Sequence, residues 1–418
     1  MEKKRLLFII IVLFFSLISL AKTIEETDTA NNYDKIMKEM QQEDYITVSL
    51  FVASSGFEIY SAAGHAALRM ECPSKKIDYC YEFDNIINIE HLLDYLNGDM
   101  QALYKRIYTH TFIERYKKSG RGIRSLKLNL TPTQKINLWQ NLDYQVDSVG
   151  IMTFDFLSNN CSSMVITVLQ ESIKPSVIQF SNSNKYLNGT HREIFPYIFA
   201  NAPWSEFCWN ILMGTGFDEE YDFETRLFPI ALIDLFPSAI IKDPNGHERQ
   251  LCGLPPATII NPIKSKTSFF TPKFLFIALL ILSLIATIIE FMCHYNLFCR
   301  IVDITLMLIE TFIGIVILYM LTISNQVATS WNWLIIVFSP FPFLAWLLCR
   351  KSHNFYKVYI IFTTILLFYC ISAPIIPQMQ YASLPILLLA FSLRTVSRWL
   401  IDGNILINHN INIKKKSL

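Results

Sequence analysis

The chain has 418 residues, 52% hydrophobic and 17% charged, with a formal net charge of +1. Soluble domains average about 25% charged residues, so a wholly soluble chain, a disordered one, a fibrous repeat and a small disulfide scaffold are excluded. The near-neutral balance gives no reason to expect nucleic acid. Apolar residues come in long blocks from residue 270 onward and in ordinary globular proportion before it, as in a membrane protein with one sizeable exported domain.

Glu2-Lys3-Lys4-Arg5 precedes an apolar run from Leu6 to Leu20. That length suits a signal sequence and is short for a spanning helix. Residues 1–21 are therefore read as a signal peptide or an N-terminal anchor. Either way, residues 22–265 are expected to form the exported, periplasmic domain.

In that domain, 45–53, 65–71 and 79–83 read as strands, with a turn at 74–78. Helical spacing covers 89–96; strands follow at 103–108 and 123–130, around a short helix at 110–118 that Gly120 ends. Thr131-Pro132-Thr133-Gln134 carries a capping box with Pro at the first helical position, so a helix is expected to run to Gln145. A strand at 151–156 leads to Ser158-Asn159-Asn160-Cys161, which marks a helix start with Cys161 in its first turn. Further helices are expected near 191–200 and 204–213, and the class is α+β.

The exported domain holds Cys72, Cys80, Cys161, Cys208 and Cys252, an odd number in an oxidising compartment. Cys72 with Cys80 across the hairpin, and Cys208 with Cys252, are candidate bridges; buried unpaired thiols are the alternative. Cys161 is the natural free thiol. A helix N-terminus favours thiolate, the nucleophilic form. Such a nucleophile needs a base. His65 follows Gly64 and opens a strand, which places it at a sheet edge. His110 and His191 read as cap or surface residues, His91 lies in a charged helix start, and His247 lies in a turn. No pair of His and Cys has zinc-ligand spacing, so no metal and no other cofactor is expected. Glu82, Asp84, Asn85, Asn160 and Tyr60 are candidates to orient the histidine.

Five apolar stretches follow, at 274–293, 302–322, 331–348, 356–375 and 380–397, each near the ~20 residues that cross a bilayer. Arg300, then Arg350, Lys351 and Lys357, then Arg394, Arg398 and Lys414–Lys416 alternate with the uncharged loops 323–330 and 376–379. Positive charge inside puts the basic tail, 403–418, in the cytoplasm and the catalytic domain outside. Asp303 and Arg394 are expected at the headgroups, and Glu310 paired inside the bundle.

Tyr60 with Gly64-His65-Ala66-Ala67-Leu68-Arg69 resembles the Y-x-x-x-G-H-[SA]-A-L-R segment of the Lnb family of bacterial lipoprotein N-acyltransferases. Gly120-Arg121, Leu128–Thr131 with Gln134, Phe154–Cys161 and Gly214–Pro229 resemble its later landmarks. The resemblance implies a circularly permuted papain-like fold, of the NlpC and lecithin:retinol acyltransferase kind. After it would come an all-α domain of five transmembrane helices over 270–402. It also implies an activity at the bacterial inner membrane. Cys161, prepared by His65, would take a fatty acyl chain from a phospholipid as a thioester and pass it to the α-amine of a diacylglyceryl-Cys lipoprotein. Two departures are the apolar run after Ser162-Ser163 and Asn159 in the place of an acidic residue. A membrane-anchored Cys/His peptidoglycan amidase and a non-catalytic envelope assembly factor are the alternatives.

Overall fold

The computed structural model describes residues 46–56, 61–85, 92–180, 189–219, 228–263, 269–293, 295–341, 369, 375–398 and 400. The signal or anchor segment, Tyr60, His91, the charged 350–357 loop, nearly all of the fourth apolar stretch and the basic tail lie outside the described residues.

The described strands are β1 (Thr47–Ala53), β2 (His65–Cys72), β3 (Ile77–Asn85), β4 (Gln101–Tyr108), β5 (Ile123–Lys127), β6 (Ile151–Thr153), β7 (Val177–Gln179), β8 (Ile240–Lys242), β9 (Glu248–Gln250) and β10 (Ala257–Ile260). Seven of them form a sheet in the order β10-β5-β1-β2-β3-β4-β6, antiparallel throughout. The others form a small sheet, β7-β8-β9. The helices are α1 (Leu92–Asn97), α2 (Thr109–Lys118), α3 (Pro132–Tyr144), α4 (Cys161–Ser172), α5 (Phe195–Ile198), α6 (Pro203–Leu212), α7 (Pro229–Leu235), α8 (Pro272–Cys293) and α9 (Leu297–Thr322). A further helix, α10, covers 384–398.

Strand side chains alternate between faces, and both faces of the large sheet are covered. Val48, Leu50, Val52, Leu68, Met70 and Phe83 pack with Leu138 and Leu142 of α3 and Val165 and Leu169 of α4. Phe51, Ala53, Ala67 and Cys80 face the other way, against Phe112 and Tyr116 of α2. Burying both faces makes a mixed α/β domain whose core is apolar on either side of the sheet. The capping box at Thr131 forms as expected, but α3 ends at Tyr144 and continues as one wide turn through Val149.

The ladder excludes a Cys72–Cys80 bridge. Cys72 pairs with Ile77 and Cys80 with Arg69, so the two cysteines lie three rungs apart, ~10 Å along the strands. A disulfide needs Cα atoms within about 7 Å. Cys208 lies on α6 and Cys252 bridges Leu128, and all five cysteines of the domain are thiols.

In the C-terminal region, α8 and α9 are long and apolar enough to cross a membrane. The third apolar stretch differs from expectation. Trp331 has φ 54°, Asn332 caps a short 3-10 turn, Trp333–Ile336, and residues 331–340 hold no α-helix. Asn332 spends its amide on the periplasmic domain, with Nδ2 donating to the Ile211 carbonyl at 2.7 Å. The buried charges also differ. Arg394 of α10 donates to Asp303 of α9 at 2.6 Å and to Glu290 of α8 at 2.8 Å, so these groups pair inside the bundle. Glu310 is buried and has no hydrogen-bond or ion-pair partner among the described residues.

The loop after α9 reaches into the periplasmic domain. The Asn325 N–H donates to the Asn97 carbonyl at 2.7 Å and the Gly214 N–H to the Ala328 carbonyl at 2.8 Å. Ala328 is fully buried in the core of the periplasmic domain. Gln326 accepts from the Phe156 N–H at 3.3 Å. Gly214 is required here: a Cβ would stand 1.8 Å from the Ser330 carbonyl oxygen.

Candidate active site

Cys161 is the first residue of α4 because Asn160 caps that helix. Asn160 has extended backbone angles, and its Oδ1 accepts from the N–H groups of Ser162 at 2.9 Å and Ser163 at 3.1 Å. The Ser163 hydroxyl returns the favour, accepting from the Asn160 N–H at 2.9 Å. With the Ser162 and Ser163 amides taken up, the Cys161 thiol sits in the positive end of the helix.

His65 opens β2 opposite Ala53. Gly64 before it has φ +90°, and a Cβ there would lie 2.9 Å from the Ala53 carbonyl oxygen, so only glycine lets the chain turn into the strand. The imidazole Nε2 lies 3.1 Å from Glu82 Oε2 of β3. Arg115 of α2 clamps the same carboxylate with both terminal nitrogens, one at 2.9 Å from Oε1. Glu82 is buried and His65 nearly so. The His65 ring stacks on Tyr116, with centroids 6.2 Å apart. Cys161 lines the same cavity as the histidine, and Nε2 is the ring nitrogen engaged by Glu82.

Burial opposes charge on both partners of the His65–Glu82 pair, and the pairing outweighs it. For His65, burial is offset by Tyr116, Cys161 and Glu82, which hold the imidazole well above its ordinary value. For Glu82, burial is offset by hydrogen bonds from His65 and Arg115, which bring the carboxyl down to about 2.

His65, Cys161 and Asn160 line one small cavity of about 70 Å³. Phe83, Tyr95, Phe154, Phe156, Trp209 and Phe228 make most of its wall, so an apolar chain meets matching surface beside the thiol. Of the orienting candidates, Glu82 reaches His65. Asp84, on the same face two residues on, instead pairs with Lys105 at 3.3 Å and Arg115 at 3.4 Å. Asn160 acts as the helix cap, and Tyr60 lies outside the described residues. Arg115 and Tyr116 were not foreseen. Their only signal was a helix, 110–118, between two strands of the histidine's sheet.

A mixed α/β domain that joins a cysteine, a histidine and a glutamate above apolar helices defines a membrane-tethered protein with a Cys–His–Glu constellation. The profile of the Lnb N-terminal periplasmic domain matches residues 32–195, and that of the Lnb transmembrane domain matches residues 264–403. The chain belongs to the Lnb family. It is thus an inner-membrane protein with a periplasmic domain, and the family carries a lipoprotein N-acyltransferase-like role. No curated protein and no solved structure matches it.

Proposed function

We propose that this protein moves a fatty acyl chain from a membrane phospholipid to the α-amine of a diacylglyceryl-Cys lipoprotein through a thioester on Cys161. The observation that carries this is the shared cavity: a helix-start thiol, a carboxylate-backed imidazole and an aromatic wall in one place.

In the first half-reaction the Cys161 sulfur attacks the ester carbonyl carbon. The S–C bond forms and the ester C–O bond breaks. The thiol proton passes through the His65 imidazole to the leaving lysophospholipid oxygen. In the second, the lipoprotein amine attacks the thioester carbon, the C–N bond forms and the C–S bond breaks. His65 takes the amine proton, and Cys161 leaves as thiolate. Glu82 and Arg115 keep the ring oriented through both steps. The Cys161 N–H at the start of α4 is placed to donate to the oxyanion. Dry aromatic walls keep water from the thioester. No cofactor takes part.

In this reading residues 22–265 form the catalytic domain and 270–402 carry five crossings, with 403–418 cytoplasmic, so both membrane-bound substrates meet the site at the bilayer surface. The test is intact-protein mass spectrometry of purified protein supplied with phospholipid alone. One fatty acyl mass on Cys161, released by neutral hydroxylamine and discharged by a diacylated lipopeptide with a free N-terminus, is expected. Muropeptide cleavage without acyl mass would assign an amidase instead, and neither activity would leave an assembly factor.

A further inference from the structure

Arg121 lies beside the site and takes no part in the chemistry described above. Its Nε donates to the Ser54 carbonyl at 2.7 Å, and Ser54 follows Ala53, the strand partner of His65. Its guanidinium carbon stands 4.7 Å from the centre of the Tyr116 ring, whose other neighbour is His65 at 6.2 Å. Its Nη2 is buried with no hydrogen-bond partner.

What sets Arg121 apart is its pairing. The buried arginines Arg192 and Arg394 each have a carboxylate, Asp218 and Asp303. No carboxylate pairs with Arg121 among the described residues. The charged and titratable groups around it come from each packed element: His65 from β2, Glu82 and Asp84 from β3, Arg115 and Tyr116 from α2. Glu82 is already claimed by Arg115 and His65, and Asp84 by Lys105 and Arg115. An arginine stays protonated even when buried, and a buried charge without a counter-ion is unfavourable. The anion this guanidinium lacks is one the site makes only when it works, the Cys161 thiolate. Consistent with this, burial lowers the Arg121 pKa, while Tyr116 and Cys161 favour its charge.

We propose that Arg121 is a positioning residue that acts through its charge, stabilising the Cys161 thiolate as nucleophile and, in the acyl-transfer reading on which this second role rests, as leaving group. The second role matters most. When His65 has taken the amine proton, thiolate must depart beside an imidazolium that is about to lose its proton, and Arg121 keeps a fixed cation in place through that change.

The test reads the thiolate directly and needs no lipid substrate. Full-length protein in detergent is alkylated with iodoacetamide across a pH series, and modification of Cys161 is followed by peptide mass spectrometry. Arg121→Gln is expected to raise the alkylation midpoint by about one pH unit, as loss of a nearby opposite charge does. Arg121→Lys, which breaks the contact with Ser54 but keeps the charge, is expected to recover more than half of that shift. A midpoint in Arg121→Gln that superimposes on wild type overturns the proposal. So does an Arg121→Lys midpoint displaced as far as that of Arg121→Gln, which would make the residue structural. Should wild type carry no acyl group while these midpoints move as expected, the acyl-transfer reading fails and the charge role stands.

Discussion

Cys161 and His65 line one cavity, although 96 positions separate 161 from 65 in the chain. Cys161→Ser is expected to lower acyl transfer at least ~10³-fold with the fold intact, because a hydroxyl cannot be ionised by a helix terminus as a thiol can. Lipoprotein triacylation in membranes, beside circular dichroism of the purified variant, measures both. Glu82→Gln removes the negative charge shared by His65 and Arg115 and turns one of its two acceptor oxygens into a donor, at a cost of about 2–3 kcal/mol, below the range for fully buried pairs because Arg115 is partly exposed. The pH dependence follows from the signs. The Glu82 carboxyl is lowered to about 2 in the folded protein, so its contribution is complete above the ordinary carboxylate pKa and fades as pH falls toward 2. The His65 pKa is raised, so its contribution is complete below about 6.5 and is lost as pH rises through the folded value. Thermal melts of wild type and Glu82→Gln should therefore converge at low pH. Ser162 is fully buried with an unpartnered hydroxyl. Ser162→Ala is expected to stabilise the protein by up to about 1 kcal/mol, read as a higher melting temperature.

At the level of elements, what was legible in the sequence was what local chemistry decides. The Thr131 capping box, the Asn160–Cys161 helix start and the strand beginning at His65 each depend on neighbouring residues, and each lies where the pattern put it. What was not legible depends on register and on distant partners. The Cys72–Cys80 pairing failed because hairpin register, invisible in a cysteine count, sets the two three rungs apart. Glu82 stood level with Asp84 in the sequence; Arg115 reaches both carboxylates from α2, and it is the folded position of the His65 ring, with Nε2 at Glu82, that decides between them. Hydropathy and length alone make the third apolar stretch a span, whereas its first half is not helical and Asn332 there bonds to Ile211. Asn160→Ala tests the cap. Loss of an N-cap costs about 1 kcal/mol, and because the cap fixes where Cys161 stands, activity should fall much further than stability. Equal losses in both would show that the cap only holds the helix together.

For the whole molecule, the proposed topology can be checked by cysteine labelling. Position 353 is expected to be reached only from the cytoplasm and position 327 from the periplasm; labelling of 353 in intact cells would invert the arrangement. The contacts of the loop after α9 make a second expectation. Gln326→Ala frees the Phe156 N–H five residues before Cys161, so turnover should fall several-fold while the protein still reaches the membrane.

The same loop bears on how the protein is made. A ribosome produces residues 46–263 first, and the chain that finishes their core, with Ala328 inside it and Gln326 against Phe156, comes more than sixty residues later. The periplasmic domain therefore waits, already exported, for α9 to be threaded through the bilayer before its interior can close. Pulse-labelled chains halted before residue 320 should be cut readily by periplasmic proteases, and chains halted after 341 should resist. Under the proposed function, the loop behind Phe156 that backs the Cys161 cavity is in place only once the chain is anchored in the bilayer.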